Sequence, residues 1–119
     1  MVEYTKHLSE PWFSLIKLKL KKVEGRLNKS DFAKMHKNDI IYWTNNDFGP
    51  DRTIKTIITK INKYVTFKEY LENETLKKTL PCMDNINDGL SVYYKYFTKE
   101  DEQKYGIVAV SFKLINLNE

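Results

Sequence analysis

The chain has 119 residues, and 20 Lys and Arg against 16 Asp and Glu give a formal net charge of +4. This length fits one domain with one core, so we expect a single domain over residues 1–119. A hydrophobic fraction of 41% argues against intrinsic disorder. No apolar run approaches the roughly 20 residues of a membrane span, so no membrane partner is expected.

Cysteine and histidine are too sparse for a disulfide framework or a metal centre. Cys82 is the single cysteine, and His7 and His36 lie far apart without metal-ligand spacing. We therefore expect no metal and no cofactor. The N-terminus carries Glu3 and lacks an apolar segment, which argues against a secretory signal and predicts an intracellular protein, cytoplasmic or nuclear.

Along the chain, the first element predicted is a short amphipathic helix. Ser9 is a suitable N-cap, and Trp12, Leu15 and Ile16 recur at helical spacing, so a helix should run to about Lys19.

An extended piece, a helical turn and a strand follow at Val23–Leu27, Ser30–Asn38 and Ile40–Thr44. The stretch Thr44–Arg52 is dense in turn formers. Residues 53–61 are ambiguous, because their isoleucines have helical spacing while the Ile and Thr content favours a strand. We predict a strand there.

The second half of the chain is mostly helical until a final strand. The predicted elements are a helix opened by a capping box at Thr66, a turn capped by Asn73, a helix capped by Asp88 that runs to Phe97, a turn starting at Thr98 that Gly106 ends, and a strand at Ile107–Ile115. The sum is an α+β fold with short helices around several strands.

The densest group of charges is Lys21-Lys22-Val23-Glu24-Gly25-Arg26. In a strand, Lys22, Glu24 and Arg26 share one face. A carboxylate between two cations can hold an arginine in a fixed pose for a phosphate or a base edge. Spacing alone favours the alternative, a solvated strand face whose charges compensate one another.

Aromatic residues could supply stacking surfaces. In the run Tyr93–Phe97, Tyr93 and Phe97 are expected in the core, whereas Tyr94 and Tyr96 are freer to stack on a base. Trp12 is interpreted as core or as a cleft wall.

The segments Glu10–Ile16, Lys21 to Leu27 and Asn38–Ile41 together resemble the ASCH domain family, which belongs to the PUA-like barrels. Lys21, Glu24 and Arg26 match the hallmark GxKxxExR, and Lys19 stands at its glycine position. The resemblance implies a small closed or nearly closed β-barrel with helices packed around it. It also implies a cleft between barrel and helices, lined by the hallmark residues.

The same resemblance implies RNA or nucleotide binding. Some small bacterial members are amidohydrolases that deacetylate N4-acetylcytidine with a Lys, a Thr and a distal Glu. Lys21 and Glu24 would occupy the first two positions, and the third has no clear counterpart. Other members are nucleases or coactivator modules.

We therefore expect RNA or a modified nucleoside to bind in a basic cleft. The ligand-binding residues would be Lys21, Lys22, Glu24, Arg26, Trp12 and Tyr94. One alternative is an amidohydrolase in which Lys21 and Glu24 are catalytic, and another is a protein-interaction module. Binding ranks above catalysis because an ionised Glu24 favours the charged form of Lys21, whereas a base or nucleophile must be neutral.

Overall fold

The computed structural model describes residues 1–118 and contains one mixed sheet with the strand order β1-β3-β4-β5-β2. The strands are β1 (Glu3–His7), β2 (Val23–Leu27), β3 (Ile40–Asn45), β4 (Arg52–Tyr64) and β5 (Ile107–Leu114). The helices are α1 (Trp12–Lys17), α2 (Ser30–Lys34), α3 (Phe67–Glu74), α4 (Leu76–Thr79), α5 (Ile86–Tyr94) and α6 (Lys99–Tyr105). The predicted α+β class is confirmed.

The sheet curls into a half-barrel whose edge strands, β1 and β2, approach each other without pairing as a ladder. Side chains span the gap. The Arg26 side chain on β2 donates to the carbonyl of His7 at the end of β1, at 2.9 Å. Lys6 on β1 forms an ion pair of 2.7 Å with Asp31 on α2. The seam between β1 and β2 is therefore where the barrel stays open.

The ambiguous segment 53–61 is a strand, as predicted. It lies in β4, which pairs antiparallel with both β3 and β5. A register shift between Ile58 and Lys60 inserts one extra residue, as a β-bulge does. The bulge brings Ile58 and Ile61 to the same side at a spacing of three. The helical spacing of these isoleucines therefore has a cause within a strand.

Strand β1 was not predicted from the sequence. Glu3–His7 pairs in parallel with Ile40–Thr44 of β3. Its residues alternate between exposed and half-buried, because β1 is an edge strand with charged side chains on its open face. Without a run of buried apolar residues, the strand leaves no clear signal in the sequence.

Several predicted helix caps differ in the structure. Ser9 does not cap α1. Instead, the Glu10 carboxylate accepts the backbone N–H of Ser14 at 2.8 Å. Helix α5 begins one turn earlier than predicted, because Asn85 accepts the N–H of Asp88 at 2.9 Å.

Of the remaining predicted helix caps, two are confirmed and one is wrong. The caps at Thr66 and Thr98 are confirmed, since each hydroxyl accepts the N–H three residues later. The cap at Asn73 is wrong. Thr75, with φ +76°, separates α3 from α4 there.

Candidate functional site

A cavity of about 230 Å³ opens beside the seam, between the segment after β1, strand β2 and helix α5. Its walls are mostly aromatic and apolar, and two ionisable side chains, Glu24 and Arg26, reach it from β2. The aromatic lining residues are Trp12, Tyr93, Tyr96 and Phe97. A concave apolar site with a few fixed polar groups is the usual form of a small-ligand site.

Arg26 is held in a fixed pose at this cavity. Its Nε donates to Glu24 Oε2 at 2.9 Å, and its Nη2 donates to the His7 carbonyl at 2.9 Å. The guanidinium also lies over the rings of Phe32 and Trp43, at 5.2 and 5.6 Å from their centroids. These bonds use two of the five guanidinium N–H donors. Within residues 1–118, the other three have no protein acceptor.

Glu24 connects the charges of the site. Its Oε1 accepts from the Gly25 N–H at 3.2 Å and from the Tyr93 hydroxyl at 3.1 Å, and it pairs with Lys21 Nζ at 3.1 Å. Its Oε2 accepts from Arg26. Burial acts to raise the pKa of Glu24, but the two cations and their hydrogen bonds outweigh it and hold that pKa below its usual value. The carboxyl group is therefore ionised at neutral pH.

Lys21 lies behind Glu24 and does not reach the cavity. Its side chain is fully buried, and Nζ donates to the carbonyls of Val23 and Thr79 as well as to Glu24. Burial lowers the pKa of Lys21; Glu24 opposes this shift, as expected from the sequence, but burial is the larger effect. Three acceptors around Nζ match the three donors of an ammonium. The geometry thus fits a charged lysine that fixes Glu24.

Lys19, at the glycine position of the hallmark, lies in the left-handed turn that precedes Lys21. Helix α1 ends in a Schellman motif, in which the Lys19 N–H donates to Ile16 and the Leu20 N–H donates to Leu15. Lys19 therefore has φ +65° at the position where the hallmark has glycine. A lysine is strained in this left-handed conformation, whereas a glycine would not be.

A pair of buried tyrosines supports the carboxylate from below. The Tyr93 hydroxyl donates to Glu24 Oε1, so the Tyr70 hydroxyl, 2.7 Å from that of Tyr93, is the donor between the two. Burial raises the pKa of Tyr70 and of Tyr93 well above the usual value. Gly25 makes this packing possible, because a Cβ there would lie 2.5 Å from Tyr70 Cζ.

The structure brings together only some of the residues predicted for the site. Trp12, Glu24 and Arg26 line the cavity. Lys22 is exposed and lies on a separate groove with Lys19 and Lys113. The Tyr94 hydroxyl donates to Glu102 at 2.9 Å and its ring packs against Phe67, so it takes no part in the cavity.

The solvated strand face that spacing favoured is wrong for Glu24 and Arg26, whereas Lys22 on that face is exposed. Glu24 is only 5% exposed and Lys21 only 1%, because the helices cover this side of β2. From the sequence, Tyr93 and Phe97 were predicted to lie in the core, and Tyr96 was predicted to be freer to stack on a base. All three line the cavity, and Tyr96 is 62% exposed at its mouth. The segment His7–Ser9 was missed, because only the unpredicted strand β1 places it there.

No described helix is long and apolar enough to span a membrane. Over residues 1–118, no three His, Cys, Asp or Glu side chains are grouped so that they could hold a metal ion.

The half-barrel and the cavity beside its seam define an α+β protein of the PUA-like class. The sequence profile of the ASCH domain matches residues 7–116, and the chain belongs to the ASCH domain family.

Two solved structures are similar to this chain over nearly its whole length. The crystal structure of hypothetical protein PH0355 is 33% identical, with a TM-score of 0.85 over 96% of this chain and 100% of that one. The solution structure of protein PF0455 from Pyrococcus furiosus is also 33% identical, with a TM-score of 0.76 over 97% and 99% of the two chains.

A more distant structure shares the fold alone. The ASCH domain from Lactobacillus crispatus JV V101 is 16% identical, with a TM-score of 0.58 over 95% of this chain and 79% of that one. A search of curated proteins found no significant match.

Proposed function

We propose that this ASCH domain binds single-stranded RNA or a modified nucleoside by taking one base into the cavity beside Arg26. The observation that carries the proposal is the pose of the guanidinium. Glu24 and the His7 carbonyl hold it at an aromatic-lined cavity, and three of its donors remain free among the described residues. A fixed fork of donors suits the edge of a base or a phosphate.

The size of the cavity supports a single base. Its volume of about 230 Å³ lies below the roughly 300–1,000 Å³ typical of sites for drug-sized ligands. One splayed base would enter, and the rest of the RNA would remain outside. Trp12 and Tyr96 would supply stacking surface, which proteins that bind single strands use without strong sequence preference.

The charges beside the cavity favour the same class of ligand. Lys21 and Arg26 are positive and Glu24 is negative, so the group carries a net charge of +1. This charge attracts phosphate or the carbonyl oxygen of a base. Because few phosphates would be contacted, we expect weak binding to short RNA with a shallow dependence on salt. The proposal places the protein inside the cell, where RNA is found.

The amidohydrolase receives less support from the geometry. Lys21 would have to reach a substrate, but its ammonium is buried and already donates to three acceptors. Glu24 is held by two cations as a structural carboxylate. No described contact favours the third possibility, a protein-interaction module.

The test is binding of a short single-stranded RNA to the intact protein and to three variants. Arg26→Lys should weaken binding by about 1–3 kcal/mol, because an ammonium cannot reproduce the fork. Tyr96→Ala should cost a similar amount through lost stacking. The matched control is Lys60→Gln, which removes an exposed charge on β4 outside the cavity and should leave affinity nearly unchanged.

A parallel incubation with N4-acetylcytidine, followed by chromatography for cytidine, tests the alternative activity. Multiple turnover that Lys21→Ala abolishes would replace binding by catalysis as the function. If Lys60→Gln weakens RNA binding while Arg26→Lys, which keeps its charge, does not, the contact is general electrostatics and the cavity is not the site. Binding of a protein partner whose affinity is unchanged by substitution of Arg26 or Tyr96 would favour a protein-interaction module.

A further inference from the structure

Resting on the proposed function, we propose that the cavity selects bases with a carbonyl at the recognised edge, guanine or uracil, over adenine or cytosine. Guanine and uracil carry a carbonyl oxygen where adenine and cytosine carry an exocyclic amine. The distinction arises because the more exposed charged group of the cavity, Arg26, has unused donors, whereas the Glu24 carboxylate beside it is buried and mostly occupied.

The free donors on the charged side chains of the cavity all belong to Arg26. Arg26 retains three N–H donors after its bonds to Glu24 and His7. Its side chain is 20% exposed, whereas that of Glu24 is 6% exposed. A base that enters the cavity therefore meets the guanidinium before it meets the carboxylate. An arginine fork paired with guanine O6 and N7 is the commonest specific contact of this kind.

The Glu24 carboxylate is buried, and most of its capacity to accept hydrogen bonds is already used. Glu24 receives four donors, from Lys21, Gly25 and Tyr93 on Oε1 and from Arg26 on Oε2. Three of these four donors share Oε1, so the lone pair that stays open is on Oε2, beside the Arg26 N–H and on a side chain only 6% exposed. An adenine or cytosine amine would have to reach that oxygen past the more exposed guanidinium of Arg26.

The backbone carbonyls nearby each accept one hydrogen bond already. The carbonyls of His7, Leu8 and Ser9 already accept, at 2.9, 2.9 and 3.1 Å, from Arg26, the Asn45 side chain and a backbone N–H of α1. The hydroxyls of Ser9 and Tyr96 lie 3.3 Å apart on the exposed side. Each of these carbonyls is thus half used, whereas three N–H donors of Arg26 are unused among the described residues.

The test is calorimetric titration of the intact protein with GMP, UMP, AMP and CMP, which share the same phosphate and ribose. GMP should bind about tenfold more tightly than AMP, and UMP about tenfold more tightly than CMP. Among purine analogues, IMP keeps O6 and should match GMP. The 2-aminopurine nucleotide lacks O6 and should bind as weakly as AMP.

Two variants test whether the base preference comes from Arg26 and not from stacking on Tyr96. Arg26→Lys should reduce the preference for carbonyl bases to less than about threefold, because the fork is lost. Tyr96→Ala should weaken all four nucleotides by a similar factor and leave the preference intact, since stacking does not read the base edge.

The outcomes separate this inference from the proposed function. Equal affinities for all four nucleotides, displaced by inorganic phosphate, would leave a nucleotide site that reads only phosphate, and would overturn the selectivity. Tighter binding of AMP or CMP would also overturn it. No binding of any nucleotide or RNA would overturn the proposed function, and the selectivity with it.

Discussion

The paired hydroxyls of Tyr70 and Tyr93 make a prediction about energetic coupling in the core of the site. Tyr93→Phe removes a donor from Glu24 and leaves the buried Tyr70 hydroxyl without an acceptor. An unsatisfied buried hydroxyl costs about 1–3 kcal/mol, in addition to the roughly 0.5–1.5 kcal/mol of a lost hydrogen bond. We expect Tyr93→Phe to lower the free energy of unfolding by about 2–4 kcal/mol.

Tyr70→Phe has two different effects in the two backgrounds. Alone it removes one hydrogen bond, while Tyr93 still donates to Glu24, so it should cost about 1 kcal/mol. In the Tyr93→Phe background it removes the orphaned hydroxyl, and it should then be neutral or stabilising. The coupling energy of the cycle should therefore be about 1–2 kcal/mol.

The assay is urea unfolding of the wild-type protein, both single variants and the double variant, with equal m-values as the check on two-state behaviour. Additive effects within about 0.3 kcal/mol would refute the donor chain from Tyr70 through Tyr93 to Glu24.

Three further predictions concern substitutions at Lys19, Gly25 and Glu24. Lys19→Gly should stabilise the protein by about 1 kcal/mol, because glycine relieves the strain of a φ of +65°. Lys17→Gly, in α1, should destabilise it by about as much. Thermal unfolding of both variants tests this, and a lower melting temperature for both would contradict it. Gly25→Ala should lower the free energy of unfolding by about 1–3 kcal/mol, because its Cβ would lie 2.5 Å from Tyr70. Urea unfolding should show a smaller loss when the same substitution is made in a Tyr70→Leu background. Glu24→Gln should destabilise by about 3 kcal/mol at pH 7, because it leaves Lys21 buried without its counter-ion. The folded pKa of Glu24 is depressed, so its contribution is full above the unfolded pKa of about 4.3 and is lost as pH falls through the folded value. The wild-type and Glu24→Gln curves should therefore converge only in acid, and a gap that is constant with pH would contradict this.

The parts of the fold that the sequence predicted are those with strong local signals. The Ile and Thr content of 53–61, the run Ile107–Ile115 and the caps at Thr66 and Thr98 each act over a few neighbouring residues. Strand β1 lacked such a signal, because its place depends on pairing with β3, more than 30 residues later in the chain.

For the candidate site too, the sequence predicted the features that have a local signal and missed those that depend on long-range contacts. The hallmark predicted that Glu24 and Arg26 belong to one site, and strand periodicity placed them on one face. Periodicity carries no information on depth, so it could not show that Lys21 is buried behind them. The segment His7–Ser9 and Tyr96 reach the cavity only through the curl of the sheet and the position of α5. These are long-range features with no local pattern.

The most direct test of the central claim is a nuclear magnetic resonance titration that follows the arginine side chains. The chain contains two arginines, so the side-chain Nε–H region should hold two signals, which an Arg26→Lys spectrum assigns. Arg52 is a built-in control, because it joins Glu10 and Asn45 at the turn after β3, outside the cavity. Adding GMP or a short RNA should shift the Arg26 signal to saturation and leave that of Arg52 in place. An Arg26 signal that stays unchanged at saturating ligand, or that moves together with Arg52, would contradict binding at this cavity.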